Sequence, residues 1–146
     1  MKKLALLLTL ILGISFTSLA GDTYSRSASA LPESAKVTLA RNFKAPVSFI
    51  KTDKTLGFVT EYDVILTDGT EINFDRNGNW ESIEIAANQT IPNVFIVKGI
   101  TDYINKNFPG QKILGISKEG NGFEVELSNS IEMKFDKNGN FIRYDD

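Results

Sequence analysis

The sequence contains no cysteine and no histidine among its 146 residues. Without cysteine the chain has neither disulfides nor a thiolate nucleophile, so its fold must rest on a hydrophobic core. Without histidine it lacks the commonest general base and a frequent metal ligand. The sequence also contains no glycine-rich phosphate-binding loop. The Gly-Asn-Gly at 120–122 is instead predicted to be the turn of a hairpin. These absences exclude the usual serine-based triads and cysteine-dependent catalysis.

Paired carboxylates are the remaining catalytic candidates. Glu124 with Glu126, and Glu61 with Asp63, are spaced to share one face of a strand. Glycosidases need two carboxylates that flank a cleft, whereas acids along a strand are far more often solvated. We therefore predict that the protein is not an enzyme and uses no cofactor.

Long apolar runs are missing as well. The run at 4–12 is shorter than the roughly 20 residues that span a bilayer. It follows Lys2 and Lys3 and precedes small residues ending at Ala20, which is the pattern of a cleaved secretory signal peptide. No cysteine follows it to accept a lipid. We expect a soluble periplasmic or secreted protein, cleaved near Ala20, with no membrane span in its mature form.

Basic residues are scarce in the predicted mature chain. Removing Lys2 and Lys3 lowers the 16 basic residues to 14 against 18 acidic ones, a net charge of −4. Without a basic stripe, binding to nucleic acid is disfavoured. The 126 residues left after 20 are removed from 146 suit one compact domain. Residues 21–30 are small and polar, which predicts a disordered lead-in.

One motif occurs twice. FDRNGNW at 74–80 returns as FDKNGNF at 135–141, and the Leu-Pro at 31–32 returns as Ile-Pro at 91–92. Spacings of 61 and 60 residues predict two copies of one supersecondary unit. Each copy begins with an amphipathic helix, ESAKVTLARNF or VKGITDYINKNF. The stretches that follow alternate apolar and polar residues, as antiparallel strands do.

The fold predicted from this repeat is α+β. Two tandem helix-plus-four-stranded antiparallel repeats form a two-layer sandwich, with the helices on one face of an about eight-stranded sheet. Repeat one spans residues 31–86, a linker spans 87–90, and repeat two spans 91–146.

Three turns carry recognisable sequences. The Asp-Gly at 68–69 predicts one tight turn, and the Asn-Gly pairs at 77–78 and 138–139 predict two-residue type I′ hairpin loops, because both central positions need a positive φ. Residues predicted to be structural in these turns are Asp68, Gly69, Asp75, Asn77, Gly78, Asp136, Asn138 and Gly139.

The Asp-x-Asn-x-Asn spacing also suggests a calcium loop. Asp75, Asn77 and Asn79 match positions 1, 3 and 5 of an EF-hand. Position 6 should be glycine and is Trp80, and position 12 should be glutamate and is Ala86. We therefore predict that each aspartate bonds loop amides in an Asx turn, and that these loops bind no metal.

Hairpin register assigns side chains to the two faces of the sheet. With a two-residue loop at 77–78, Asp75 faces Trp80, so Trp80 and its counterpart Phe141 point away from the helices. Ile83, and Ile142 in the second copy, are then predicted to point toward the helices. The same face carries many acids and few bases such as Lys134 and Arg143. The acids predicted there are Glu61, Asp63, Glu71, Asp75, Glu84, Glu124, Glu126, Glu132 and Asp136.

Two interpretations of this face stay open. It is either a solvated face whose acids aid solubility, or a docking surface whose aromatic anchors and acids attract a basic partner. In the second case the predicted partner-binding residues are Trp80, Phe141, Glu61, Asp63, Glu124, Glu126 and Arg143.

The helix starts, the Asn-Phe-Pro-Gly at 107–110, the Asp-Gly turn and the twin hairpins resemble the PepSY-like family of small secreted bacterial proteins, related in fold to the β-lactamase-inhibitor protein. The resemblance covers residues 31–146 and implies helices on one face of a curved sheet. It also implies that a partner meets the open sheet face, on the side predicted for Trp80 and Phe141. The longer IPNVFIVKG before the second helix departs from the shorter LPESAK before the first.

Two functional hypotheses follow. The first is a non-catalytic periplasmic or secreted binding module, inhibitor-like, that presents its acidic sheet face to a protein or peptide partner, with a basic one favoured. The alternative is a small-ligand or cation-binding periplasmic protein that works through the same face.

Overall fold

The computed structural model describes residues 21–145, so the predicted signal peptide at 1–20 lies outside the described residues. Residues 21–145 form two α-helices, α1 (Glu33–Asn42) and α2 (Lys98–Asn107), and one nine-stranded antiparallel sheet. Its strands are β1 (Thr23–Ser25), β2 (Val47–Thr55), β3 (Phe58–Leu66), β4 (Glu71–Asp75), β5 (Trp80–Glu84), β6 (Ile113–Glu119), β7 (Gly122–Leu127), β8 (Glu132–Asp136) and β9 (Phe141–Asp145). Strand order follows chain order throughout.

Both helices form where the apolar spacing predicts them. Ala35 and Leu39 of α1, and Ile100 and Ile104 of α2, lie four residues apart and are buried against the sheet. Each helix ends when the backbone turns extended or irregular after its last residue. Neither helix in residues 21–145 is long and apolar enough to cross a membrane.

One hydrophobic core lies between the helices and the sheet. It joins α1 and α2 to every strand from β2 to β8, with Phe74 and Phe135 fully buried beneath the helices. Burying a side chain of this size contributes about 1.5–3 kcal/mol. The predicted α+β class, with helices packed on one face of an antiparallel sheet, is confirmed.

The N-terminal segment differs from the prediction of a disordered lead-in. Residues 23–25 form β1 and pair with residues 50–52 of β2, and a 3₁₀ turn follows at Ala28–Ala30. Backbone pairing at the edge of β2 therefore orders a segment whose side chains have little to bury. This strand is also why the sheet has nine strands in residues 21–145 and not about eight.

The predicted two-residue hairpin loops are wrong. In the β4–β5 loop the N–H of Asp75 donates to the carbonyl of Asn79, so three residues, 76–78, connect the closing pair. Only Gly78 has a positive φ, at 83°. The β8–β9 loop repeats this arrangement, with Asp136 bonded to Asn140 and Gly139 at 85°. Each loop is a three-residue turn with glycine in the left-handed position.

The extra loop residue reverses the predicted side for both aromatics. Trp80 pairs directly with Phe74, and Phe141 pairs with Phe135, so both lie on the helix side of the sheet. A bulge follows in each strand and restores the register, which is why Ile83 is buried as predicted. In β9 the bulge leaves Ile142 58% exposed, although the two-residue loop predicted it inward.

Both glycine loops lie against the N-terminal ends of the helices. Ser34 of α1 donates from its Oγ to the carbonyl of Asn77 at 2.6 Å. A Cβ on Gly78 would overlap Ser34 Oγ and lie 2.9 Å from the backbone nitrogen of Ala35. A Cβ on Gly139 would lie 2.8 Å from the backbone nitrogen of Ile100. The repeated motif thus places a glycine, which has no side chain, against the start of each helix.

Candidate functional site

The sheet surface opposite the helices is the candidate site, and we call it the open face. Two rows of directly paired residues cross it. The central row runs through Tyr24, Lys51, Asp63, Asn73, Ser82, Ser117, Glu124, Lys134 and Arg143. The acidic row begins with Phe49 and Ile65 and continues through Glu71, Glu84, Gly115, Glu126, Glu132 and Asp145.

The acidic row places like charges beside one another. Glu71 faces Glu84, and Glu126 faces Glu132, with Gly115 between the two pairs. Directly opposed like charges on neighbouring strands destabilise a sheet. Within residues 21–145 no side-chain hydrogen bond or ion pair reaches these four glutamates. These four glutamates therefore form an acidic strip with no balancing cation in residues 21–145, whereas Asp145 at the end of the row pairs with Lys134 and Arg143.

Gly115 makes a shallow depression in the middle of this strip. A small cavity of about 20 Å³ lies over its backbone, lined by Glu84, Ser117, Glu124, Glu126 and Glu132. A Cβ at Gly115 would lie 3.5 Å from Glu126 Cβ and 3.7 Å from Glu84 Cγ, so the two glutamates flank the gap. The depression is open to solvent and surrounded by carboxylates.

Burial and mutual repulsion hold several of these carboxyls above their usual pKa. Partial burial, with the charges of Glu71 and Glu126 beside it, raises the pKa of Glu84 to about 7. Burial and Glu132 also raise the pKa of Glu126. At neutral pH some carboxyl groups of the acidic row are therefore protonated. A cation that approached the row would lower their pKa and release these protons.

One basic side chain, Lys51, lies at the β2–β3 end of the open face. Lys51 Nζ is 2.6 Å from Asp53 Oδ1 and 3.9 Å from Asp63 Oδ2. The Asn73 amide donates to Glu61 at 2.7 Å and to Asp63 at 2.8 Å. Burial, followed by the charge of Glu61, nevertheless raises the pKa of Asp63 to about 6. These acids are largely satisfied by side chains of the protein itself.

Another basic side chain, Lys134, lies at the β7–β9 end of the open face. Lys134 Nζ is 2.8 Å from Glu119 Oε2, 3.5 Å from Glu124 Oε2 and 3.4 Å from Asp145 Oδ2. Burial and a hydrogen bond with Glu119 raise the pKa of Glu124 to about 7. The Lys134 ammonium is therefore shared among three carboxylates, as Lys51 is among Asp22, Asp53 and Asp63. Within residues 21–145, however, no amide side chain donates to the carboxylates around Lys134 as Asn73 does to Glu61 and Asp63.

The turn aspartates behave as the Asx-turn prediction requires. Asp75 Oδ1 accepts from the backbone N–H groups of Asn77 at 2.8 Å and Asn79 at 2.9 Å. Asp136 accepts the equivalent pair from Asn138 at 2.8 Å and Asn140 at 2.9 Å. Hydrogen bonds from Asn140 hold the pKa of Asp136 below its usual value. Both carboxylates are occupied by their own loops.

The third turn aspartate acts in the same way. The Oδ1 of Asp68 accepts the N–H of Thr70 at 3.0 Å, and Gly69 has a φ of 86°. Asp68 and Gly69 lie in the β3–β4 turn, and Asn77, Gly78, Asn138 and Gly139 lie in the two hairpin loops, while Asp75 and Asp136 are the last residues of β4 and β8.

The predicted partner-binding residues separate into two groups. Five of them lie on the open face, in the rows described above or beside them, namely Glu61, Asp63, Glu124, Glu126 and Arg143. Trp80 and Phe141 lie on the other side. Their face assignment is therefore corrected.

Both aromatics pack under helix-side elements. The Trp80 ring meets Phe95 edge-on at 5.4 Å, and Lys118 Nζ lies 4.2 Å from its centroid. Phe141 stacks on Tyr103 of α2 at 4.8 Å. Packing against the protein's own side chains accounts for both.

Sequence reasoning missed three features of the site. It did not assign Asp145 or Gly115 to the acidic row, since the register of β6 and β9 depends on bulges. It also did not single out the β2–β3 turn, where Leu56 is 93% and Phe58 77% exposed. The Leu-Gly-Phe at 56–58, between two strands, is the signal that could have identified this apolar tip.

Comparison with protein families matches residues 60–143 to the family described as "Putative beta-lactamase-inhibitor-like, PepSY-like". No curated protein matches the chain. Among solved structures, a "putative periplasmic protein of unknown function" from Bacteroides vulgatus is 35% identical, with a TM-score of 0.79, over 86% of this chain and 100% of the other.

Two further solved structures are similar. A "putative calcium-regulated periplasmic protein" from Bacteroides thetaiotaomicron is 30% identical, with a TM-score of 0.76, over 86% of this chain and 97% of the other. A second "putative periplasmic protein" from Bacteroides vulgatus is 29% identical, with a TM-score of 0.75, over 88% of this chain and 99% of the other.

Proposed function

This chain belongs to the PepSY-like, beta-lactamase-inhibitor-like family, and on that premise we propose that it is a non-catalytic, inhibitor-like binding module of the periplasm. Its partner is a basic protein or peptide, which it holds on the open face. The descriptions of its structural relatives as periplasmic support the location. Secretion of the protein from the cell would be equally compatible with a binding surface of this kind.

One observation carries this proposal, the uncompensated acidic row. Glu71, Glu84, Glu126 and Glu132 lie side by side with no cation among residues 21–145 to balance them. A partner that brings lysine or arginine side chains would replace repulsion with attraction and would be steered to the face at long range. Ser82 and Ser117, in the adjacent central row, leave room for close approach.

The proposed contact surface differs from the one expected from sequence. Glu61, Asp63, Glu124, Glu126 and Arg143 remain in it. Trp80 and Phe141 leave it, because both rings pack on the helix side. Charge, and not an aromatic anchor, is thus the proposed basis of recognition.

Site-specific photo-crosslinking in cells of the source bacterium tests the proposal. A photoreactive residue at Ser82 or Ser117 should trap a basic partner, because both positions lie beside the acidic row. The matched control is Val37, which is exposed on α1. Reversing two charges, with Glu84→Lys and Glu126→Lys together, should abolish the crosslinked product. Equal crosslinking from Val37, or survival of the product after charge reversal, would contradict the proposal.

We also infer that the two units on either side of residues 87–90 are copies of one helix-plus-four-strand unit. The same element order in each, with a glycine loop against each helix start, supports this inference.

Cation binding through the acidic face is a second candidate function. Two groups of three carboxylates favour it, Asp53 with Glu61 and Asp63, and Glu124 with Glu132 and Asp145. The relative described as calcium-regulated suggests calcium as the first ion to try. A rise in melting temperature on adding CaCl₂, reversed by a chelator, is the expected result.

A further inference from the structure

Three carboxylates converge at the β9 end of the open face. One oxygen each from Glu124, Glu132 and Asp145 lies within 4.8 Å of the other two. Glu132 and Asp145 are direct cross-strand partners, and Glu124 lies diagonally across on β7. The register of three consecutive strands therefore fixes the group, so its oxygens are brought together by the sheet and not by flexible loops.

Asp145 is the member whose position is hardest to explain without a ligand. Its side chain is only 2% exposed, and its Oδ2 is buried without a hydrogen bond from any of residues 21–145. The Oδ1 atom lies 3.3 Å from an Arg143 nitrogen, whereas Oδ2 has only the Lys134 ammonium at 3.4 Å. A buried carboxylate oxygen without a hydrogen bond is costly.

The charges around this group do not balance. Glu119, Glu124 and Asp145 form ion pairs with Lys134 or Arg143, whereas Glu132 has no ion pair within residues 21–145. Carboxylates therefore outnumber cations in this group, and a divalent cation would reduce the repulsion among them.

The donor set selects the kind of ion. The ligands are carboxylate oxygens, and the whole sequence has no histidine or cysteine that would favour zinc or copper. Calcium takes six to eight oxygens at about 2.3–2.6 Å and tolerates irregular geometry, and oxygens up to about 4.8 Å apart can share one such ion. Water would complete the shell on the solvent side, where the cavity over Gly115 begins.

We propose that Glu124, Glu132 and Asp145 bind one calcium ion at the β7–β9 end of the open face, and that the Lys134 ammonium moves aside when the ion binds. This proposal rests on the second candidate function and names its site. Lys134 then occupies the site in the absence of calcium and competes with the ion.

The other carboxylate group lacks the features that favour an ion. Glu61 and Asp63 both accept hydrogen bonds from the Asn73 amide, and Asp53 lies 2.6 Å from Lys51 Nζ. No oxygen of that group is buried without a hydrogen bond in residues 21–145. The group of Glu124, Glu132 and Asp145 is therefore the stronger candidate of the two.

Titration calorimetry of the mature protein with CaCl₂ tests the site. We expect one ion per chain and a rise in melting temperature. Asp145→Asn and Glu132→Gln should each weaken binding at least about tenfold, because each replaces a charged ligand with a neutral side chain of similar shape. Lys134→Met should strengthen binding, because the competing ammonium is gone. The control Asp102→Asn, on α2 and outside both carboxylate groups, should leave the affinity unchanged.

Three outcomes would overturn the proposal. The first is the absence of both heat and a melting shift at millimolar calcium. The second is calcium binding that Asp145→Asn and Glu132→Gln both retain, which would leave cation binding standing but move its site. The third is weaker binding in Lys134→Met. Circular dichroism of each variant confirms the fold, and the crosslinking experiment reports on partner binding separately.

Discussion

Glu84 and Asp75 show how one charge behaves in two settings on the same sheet. Burial acts to raise the pKa of Asp75, but hydrogen bonds from the Asn79 side chain and from backbone N–H groups of its own turn together hold that pKa below the usual value. Glu84 has burial and two neighbouring glutamates instead, and its pKa rises to about 7. Asp75 thus stabilises the fold when charged, whereas Glu84 stabilises it when protonated.

Replacing Glu84 with glutamine should make stability less dependent on pH. The folded protein holds a proton on Glu84 up to about pH 7, against an ordinary value of 4.5. Stability from this group is therefore present below pH 4.5 and is lost as pH rises through 7. After allowance for solvent screening of a half-exposed group, Glu84→Gln should be more stable than the wild type by about 1 kcal/mol at pH 8.

Urea unfolding at pH 5 and pH 8 measures this difference. The advantage of the glutamine variant should shrink at pH 5, because the wild-type carboxyl is then protonated. An equal difference at the two pH values would show that the charge of Glu84 is not responsible.

At the level of elements, the twin hairpins hold the helices in place. Neither helix has a side-chain cap at its start. Each start instead meets a glycine turn, Gly78 against Ala35 and Gly139 against Ile100. The repeated Asn-Gly-Asn motif therefore has a structural role at the junction between sheet and helix.

Gly78→Ala should be markedly destabilising. The new Cβ would press on the first turn of α1 in addition to requiring an unfavourable positive φ, so we expect a loss of about 2–4 kcal/mol. Gly69→Ala is the matched control, since Gly69 has a φ of 86° but no atom within 4 Å of the added Cβ. It should cost about 1–2 kcal/mol. Equal losses in chemical denaturation would mean that contact with α1 is unimportant.

The sequence predicted helices and turns better than side-chain direction. Spacing of Ala35 and Leu39 predicts the buried stripe of α1, and Asn-Gly pairs predict where hairpins turn. An Asn-Gly pair does not reveal whether its loop has two residues or three, and one extra residue turns Trp80 to the other face. The bulge after Trp80 cancels the shift, so Ile83 and Glu84 are on the predicted sides.

The site was predictable in composition but not in detail. Alternation along β7 correctly places Glu124 and Glu126 away from the core. The convergence of Glu124, Glu132 and Asp145 depends on the register of three strands, and β9 contains a bulge that periodicity cannot show. The uncompensated charge follows from distances between side chains, which the sequence does not contain.

At the scale of the whole molecule, two halves share one sheet. They meet where β5 pairs with β6 through three residue pairs, centred on Ile83 and Ile116. Residues from both halves belong to one continuous core. We therefore expect the domain to unfold as one cooperative unit.

Met133→Ala tests this cooperativity. Met133 is fully buried in β8, so its truncation should cost about 2–4 kcal/mol. Trp80, the single tryptophan, lies in the other half and reports on it by fluorescence. Its unfolding midpoint should fall together with the midpoint from far-ultraviolet circular dichroism. Fluorescence that keeps the wild-type midpoint would show that the halves unfold independently.

The sequential order of the strands has a mechanical consequence. Because β1 and β9 are the first and last strands of residues 21–145 and also the two edges of the sheet, tension applied between residues 21 and 145 would load backbone hydrogen bonds one after another. Such a sheet would separate strand by strand from its edges. The force needed would be lower than for a sheet whose first and last strands are neighbours and must be sheared apart. A pull at residue 21 or at residue 145 would detach β1 or β9 first, and with β9 the carboxylate of Asp145.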